Sequence, residues 1–333
     1  MKINNNKLKS LILLSLVGSA STNEEKPTSQ SELTLNSLPQ MGVNFTKRGN
    51  ETDPIFYVFA GYPIFIEDDS GANLGNCTLG FAVNIVSNNN DMGGWCKGTG
   101  DAFITSVRCC QKHPHCFGYN VFLTNYEKKI NTGIVHYSTY TDTSGWQRIN
   151  FDFFEILMPR FEEDRKKIKF IPYVAGKENN MYPVIGLGVV ELGGEVCAYG
   201  SVNGYLCGKL VETGSSLEQN QEGTIYTFAG MNKVDLGEGH GFDSERDLGG
   251  SVYVTNTIGE RTTAQALGYI SGVDNSDLNH KFFYYTPLSA FIDYAKVLND
   301  DWGNCAVELI TYNENNTQEY DQLLAQMEIP INK

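Results

Sequence analysis

Apolar residues in this chain recur in short runs of the strand type. From Pro54 onward, β-branched and aromatic stretches follow one another at 55–66 (IFYVFAGYPIFI), 77–87 (CTLGFAVNIVS), 101–107 (DAFITSV), 119–125, 132–140 and 149–157. They continue at 169–174, 183–192, 205–212, 224–230, 250–256 and 263–272. Turn signals such as DDSGAN, SNNNDMGG, GKENN and VDNSD separate them. About a dozen strands with almost no helix between them indicate an all-β barrel or sandwich, not alternating βαβ units. One helix is expected late, over 286–299. Pro287 suits its first turn, and Leu288, Phe291, Ile292, Tyr294 and Ala295 form its apolar stripe.

The ends have a different character. Residues 1–20 read as a secretory signal: Lys2, Lys7 and Lys9 precede the apolar run LILLSLV, and Gly18-Ser19-Ala20 supplies small residues for cleavage. That run is too short to span the ~30 Å of a bilayer core. Residues 21–52 are polar and aperiodic, the composition of a propeptide or flexible arm. The folded domain is expected over 53–300, followed by a tail over 301–333 with weak helical patterning near Tyr320 to Met327.

Composition narrows the partners. The 39 acidic and 25 basic side chains give a net charge of −14, which argues against nucleic acid, since phosphate binding needs clustered cations. An exported chain with eight cysteines is expected to use them in disulfides. Asn44, Asn50, Asn76 and Asn315 each begin a glycosylation sequon.

Four motifs then fall in order. They are Cys77-Thr78-Leu79-Gly80-Phe81; Thr105-Ser106-Val107-Arg108-Cys109 after an apolar strand; Val196-Cys197-Ala198-Tyr199-Gly200 with Gly204-Tyr205-Leu206-Cys207-Gly208; and Asp247-Leu248-Gly249-Gly250. Together they resemble the chymotrypsin-like serine proteases of the streptogrisin and α-lytic protease branch, over roughly residues 54–298. The resemblance implies two antiparallel six-stranded β-barrels with an active site between them. It also implies disulfides Cys77–Cys109 and Cys197–Cys207, leaving Cys96, Cys110, Cys116 and Cys305 with three possible pairings.

The departures carry the functional reading. Arg108 stands at the position of the family's histidine and Leu248 at that of its serine, while Asp152 in INFDFFEI matches the aspartate strand. Acyl transfer needs a nucleophilic hydroxyl and a base that takes its proton. Leucine has no such atom, and arginine stays protonated and only donates. The resemblance places Arg108 opposite Asp152, where the two are expected to pair. It also makes Arg246, Asp247 and Gly249 the oxyanion loop and Ser271 the residue flanking a bound peptide. The family's arginine after the hairpin's first cysteine is replaced by Ala198, which removes the usual partner of Asp247.

Other residues of catalytic or metal-binding type lie near these motifs. His115 lacks a preceding apolar strand, and Ser244 lacks the following Gly-Gly. Cys110, His113, His115 and Cys116 lack a metal-site spacing, so no metal or cofactor is expected. His240 reads as a residue of a glycine-rich loop, and the mixed-charge run 162–167 as a solvated segment. The expected function is a secreted, inactive protease homologue that binds an extracellular peptide or protein, protease inhibitors among the candidates, with no nucleic acid or membrane partner. The alternatives are a serine endopeptidase with displaced catalytic residues and a structural secreted glycoprotein.

Overall fold

A computed structural model of the chain describes residues 56–87, 100–110, 119–125, 128–135, 154–158, 168–221, 224–259, 261–277, 279–297, 305–313, 320–322 and 324. The first strand, β1 (Phe56–Ala60), ends at Gly61, whose φ of 103° breaks the apolar run expected to continue through residue 66. A Cβ at that position would stand 2.8 Å from the Tyr199 ring.

Seven strands follow: β2 (Pro63–Glu67), β3 (Asn73–Thr78), β4 (Ala82–Ser87), β5 (Gly100–Ser106), β6 (Asn120–Asn125), β7 (Lys128–Val135) and β8 (Phe154–Met158). β3 and β4 act as one bent strand. The Gly80 N–H donates to the Ile104 carbonyl at 2.7 Å and the Ile104 N–H to that of Phe81 at 3.1 Å, so pairing with β5 runs across the bend. The antiparallel ladders β2–β3, β4–β5, β5–β8, β8–β7, β7–β6 and β6–β2 then close a six-stranded barrel. Alternation decides the faces: Ile64 and Ile66 of β2 point into the core, while Phe65 stacks outside on its cross-strand partner Phe122 at 5.4 Å.

β9 (Ile168–Ala175) and β10 (Met181–Leu187) form an antiparallel pair that leads to the second barrel. That barrel consists of β11 (Glu195–Gly200), β12 (Gly204–Gln221), β13 (Thr224–Gly237), β14 (Ser251–Ile258), β15 (Arg261–Asp274) and β16 (Lys281–Pro287). Its ladders β11–β12, β12–β13, β13–β16, β16–β15, β15–β14 and β14–β11 are antiparallel and close in the same order as the first ring. This is the double-barrel architecture that the resemblance implies. Phe81 and Phe103 of the first barrel share one core with Tyr199, Tyr253 and Tyr269 of the second.

Several further boundaries differ from expectation. The 183–192 run is strand only to Leu187; beyond it, Val189 and Leu192 are exposed. β12 and β13 extend well past the apolar stretches that mark them, because backbone pairing continues through polar residues such as Ser215 and Gln219. Residues 281–285 continue the barrel as β16, so the helix α1 (Leu288–Val297) starts only after Pro287. Leu288 and Phe291 are buried and Ile292 packs on the core, as the stripe requires.

The tail differs as well. β17 (Cys305–Leu309) pairs antiparallel with β4 and belongs to the first sheet. Further on, the Asp321 carboxylate accepts from the Tyr173 hydroxyl at 2.9 Å and the Arg261 guanidinium at 3.1 Å, and Leu324 is fully buried. Burial and the bond to Asp321 hold the Tyr173 phenol well above its ordinary range. Leu324→Ala is expected to lower stability by about 2–5 kcal/mol, read as a shifted urea midpoint at constant slope. An unchanged midpoint would make the tail an appendage after all.

Candidate functional site

Arg108 sits on a short 3₁₀ turn (Val107–Cys110) that ends β5. The turn is pinned by the disulfide Cys77–Cys109 (S–S 2.03 Å), and the Arg108 N–H donates to Ser106 Oγ at 3.2 Å. From there the guanidinium crosses to the second barrel. Its Nη1 donates to the Ser271 carbonyl at 2.5 Å, and the group lies 5.9 Å from the centre of the Phe228 ring. Gly272 leaves room for it, since a Cβ there would stand 2.7 Å from Nη1 and 2.3 Å from Leu217 Cδ2. Asp152, and with it the expected pair with Arg108, lies outside the described residues.

The loop from Gly241 to Gly250 carries the second half of the site. Its centre, Asp247, is buried and accepts three N–H groups: Val202 N at 2.7 Å, Asn203 Nδ2 at 2.7 Å and Asp243 N at 2.8 Å. These replace the arginine that the hairpin lacks. The fit is close, because a Cβ on Gly200 would lie 2.4 Å from the Asp247 carboxyl carbon. Burial holds the Asp247 carboxyl above its ordinary value despite the three donors.

Leu248 is fully buried in the shared core, so it forms no cap facing an open cleft. Its carbonyl accepts the Thr78 N–H at 2.9 Å, and Gly249, at φ 83°, donates to the Ile270 carbonyl at 2.7 Å. The Arg246 carbonyl accepts Thr78 Oγ1 at 2.8 Å and Ser201 Oγ at 3.2 Å. The loop of one barrel is thereby tied to a strand of the other. The Arg246 N–H, expected as an oxyanion donor, instead donates to Asp243 Oδ1 at 2.8 Å. Burial opposes the charge on Asp243, but N–H groups of Arg246 and Glu245 and the Arg246 guanidinium outweigh it and hold the carboxyl below its ordinary value. Ser271 is buried as well. Its hydroxyl bonds Thr286 Oγ1 at 2.7 Å, and its carbonyl is the one Arg108 takes.

The residues missed from sequence are Thr78, Ser201, Asn203 and Asp243. Thr78 lies within a quoted motif, but nothing in its type announces a bond to a carbonyl 168 positions away. Asn203 occupies a hairpin turn, where asparagine is ordinary.

The remaining expectations divide cleanly. The second disulfide, Cys197–Cys207, is present at 2.08 Å, whereas the pairings of Cys96, Cys110, Cys116 and Cys305 lie outside the described residues. Asn76 is exposed and its side-chain oxygen accepts from Asn73; Asn44, Asn50 and Asn315 are outside the described residues. Ser244 lies on an exposed turn, and His113, His115 and Cys116 are outside. Among the described residues, His280 pairs with Asp235 at 2.9 Å on the surface and His240 is exposed. The ligand atoms of Glu195, Cys197 and Cys207 lie within 4.8 Å of one another, but both sulfurs belong to the disulfide and offer no thiolate to a metal.

Two closed antiparallel barrels of six strands with the same pairing order define the chymotrypsin-like double-barrel fold. No family model and no curated protein matches the chain. Its structural neighbours are serine proteases of the chymotrypsin-like and α-lytic type. The Nocardiopsis protease NAPase shares 17% identity at a TM-score of 0.48, covering 77% of this chain and 100% of its own. The chymotrypsin of Cellulomonas bogoriensis shares 18% at 0.45, and Protease A of Thermobifida fusca 13% at 0.46, with the same coverages. No helix among the described residues is long and apolar enough to cross a membrane.

Proposed function

We propose that this chain is a secreted, catalytically inactive homologue of the chymotrypsin-like serine proteases that acts by binding an extended peptide or protein segment. The observation that carries the proposal is the burial of Leu248 at the nucleophile position. No attacking oxygen exists there, and Arg108, at the base position, donates to a carbonyl and cannot take a proton. The Arg246 N–H is likewise occupied by a carboxylate, so a developing oxyanion finds that donor already bonded.

Binding is assigned to the far end of β15, where an extended chain adds to a sheet by main-chain hydrogen bonds. A protease inhibitor with an extended loop is one ligand of that chemistry. The signal-like residues 1–20 and the two disulfides support an exported protein. The test is a fluorophosphonate probe applied to the mature protein. No covalent labelling is expected; labelling of any serine in the folded protein would restore the reading of an endopeptidase with displaced residues.

A further inference from the structure

Among the described residues, one edge of β15 stays open. Residues 261–269 pair with β14, and Ile270 exchanges bonds with the loop: its carbonyl accepts from Gly249 at 2.7 Å and its N–H donates to the Gly250 carbonyl at 2.8 Å. Beyond Ile270 this side has no strand partner among the described residues, although the opposite side pairs with β16 as far as Asp274. Unpaired N–H and C=O groups on an edge are a template for another strand.

The first carbonyl on that edge is already taken. Arg108 Nη1 donates to the Ser271 oxygen, as the N–H of an added strand would. The contact is charge-assisted and hence stronger than the amide bond it imitates. It is also backed by packing. Phe228 lies beneath the guanidinium, and Leu217 lies against Gly272. Leu217 and Phe228 pack together with Met231 and Tyr284. All four come from barrel strands, Leu217 from the part of β12 that runs beyond its apolar stretch.

We infer that Arg108 gates this edge: its guanidinium holds the place of an incoming backbone N–H, and an extended ligand pairs with β15 only after Arg108 leaves Ser271. The inference rests on the binding reading proposed above and adds its regulation. The replacement of an imidazole by a guanidinium then has two consequences from one side chain. It removes the proton acceptor, and it lengthens the side chain enough to cap the carbonyl on the facing strand.

The experiment measures fluorescence anisotropy of a fluorescein-labelled, amide-capped hexapeptide of alternating Val and Thr, titrated with the full mature chain and with Arg108→Ala. The variant is expected to bind about tenfold to a hundredfold more tightly, the scale of one hydrogen bond to a charged group released from competition. Equal, measurable affinities would overturn the gate and leave the binding reading standing. Weaker binding by the variant would also overturn it, by making Arg108 a ligand contact. No binding by either protein would overturn the binding reading, and the gate with it. Should near-ultraviolet circular dichroism show Arg108→Ala to be unfolded, Arg108→Gln carries the same expectation, because it lacks the charge and reach that hold Ser271.

Discussion

Gly249→Ala is expected to destabilise the fold by roughly 3–5 kcal/mol, or to prevent folding outright. Two effects add. At φ 83° an L side chain meets its own backbone, which costs about 1–2 kcal/mol. The new Cβ would also stand 2.0 Å from Thr105 Oγ1 and 2.4 Å from the Thr78 carbonyl oxygen. Neither neighbour can yield. Thr105 Oγ1 is bonded to that same carbonyl at 2.9 Å, and the Thr78 N–H is bonded to Leu248 at 2.9 Å. Gly71→Ala is the control, because Gly71 has the same φ of 83° but open space around it. It should lose only the backbone part, about 1–2 kcal/mol. Urea unfolding of both variants separates the terms. Equal losses would show that the loop is not clamped against the first barrel.

Asp247→Ala is the second large effect, with an expected loss of about 3 kcal/mol near neutral pH. Removing the carboxylate leaves the N–H groups of Val202, Asp243 and Asn203 without their acceptor, at ~1–3 kcal/mol for each donor that water cannot reach. The loss depends on pH in a definite direction. Burial raises the folded-state pKa of Asp247 above the unfolded value, so the native state holds this proton more tightly. Its contribution is fully present below the ordinary carboxylate pKa and declines as pH rises through the folded value. The stability gap between the natural chain and Asp247→Ala should therefore be wider at pH 4 than at pH 7. A gap that widened toward neutral pH would mean that the three donors, not burial, dominate the carboxyl.

Much of the barrel framework is legible in the chain. The apolar runs mark the strands, but Ile64, Phe65 and Ile66 are all apolar, and only the fold decides that the two isoleucines face the core and Phe65 the outside. The resemblance that the cysteine motifs carry anticipates both disulfides seen here. The extensions of β12 and β13 are not legible. Residues 213–221 read TGSSLEQNQ, in which Leu217 is the one large apolar side chain, and it is the backbone ladder with β13 that makes them strand. β17 is hidden for a related reason: five residues carry too little periodicity to announce a partner more than 200 positions earlier.

At the site, sequence reasoning identifies residue types and the structure identifies what they touch. That position 108 holds a permanent donor and position 248 an inert hydrocarbon follows from the letters alone, because side-chain chemistry is intrinsic to each residue. That the donor meets Ser271, that the Arg246 N–H turns to Asp243, and that Leu248 lies wholly within the core are settled only by folding. The Arg108 contact ends on a backbone atom, which every residue shares, and joins segments 163 residues apart, so no local pattern can encode it.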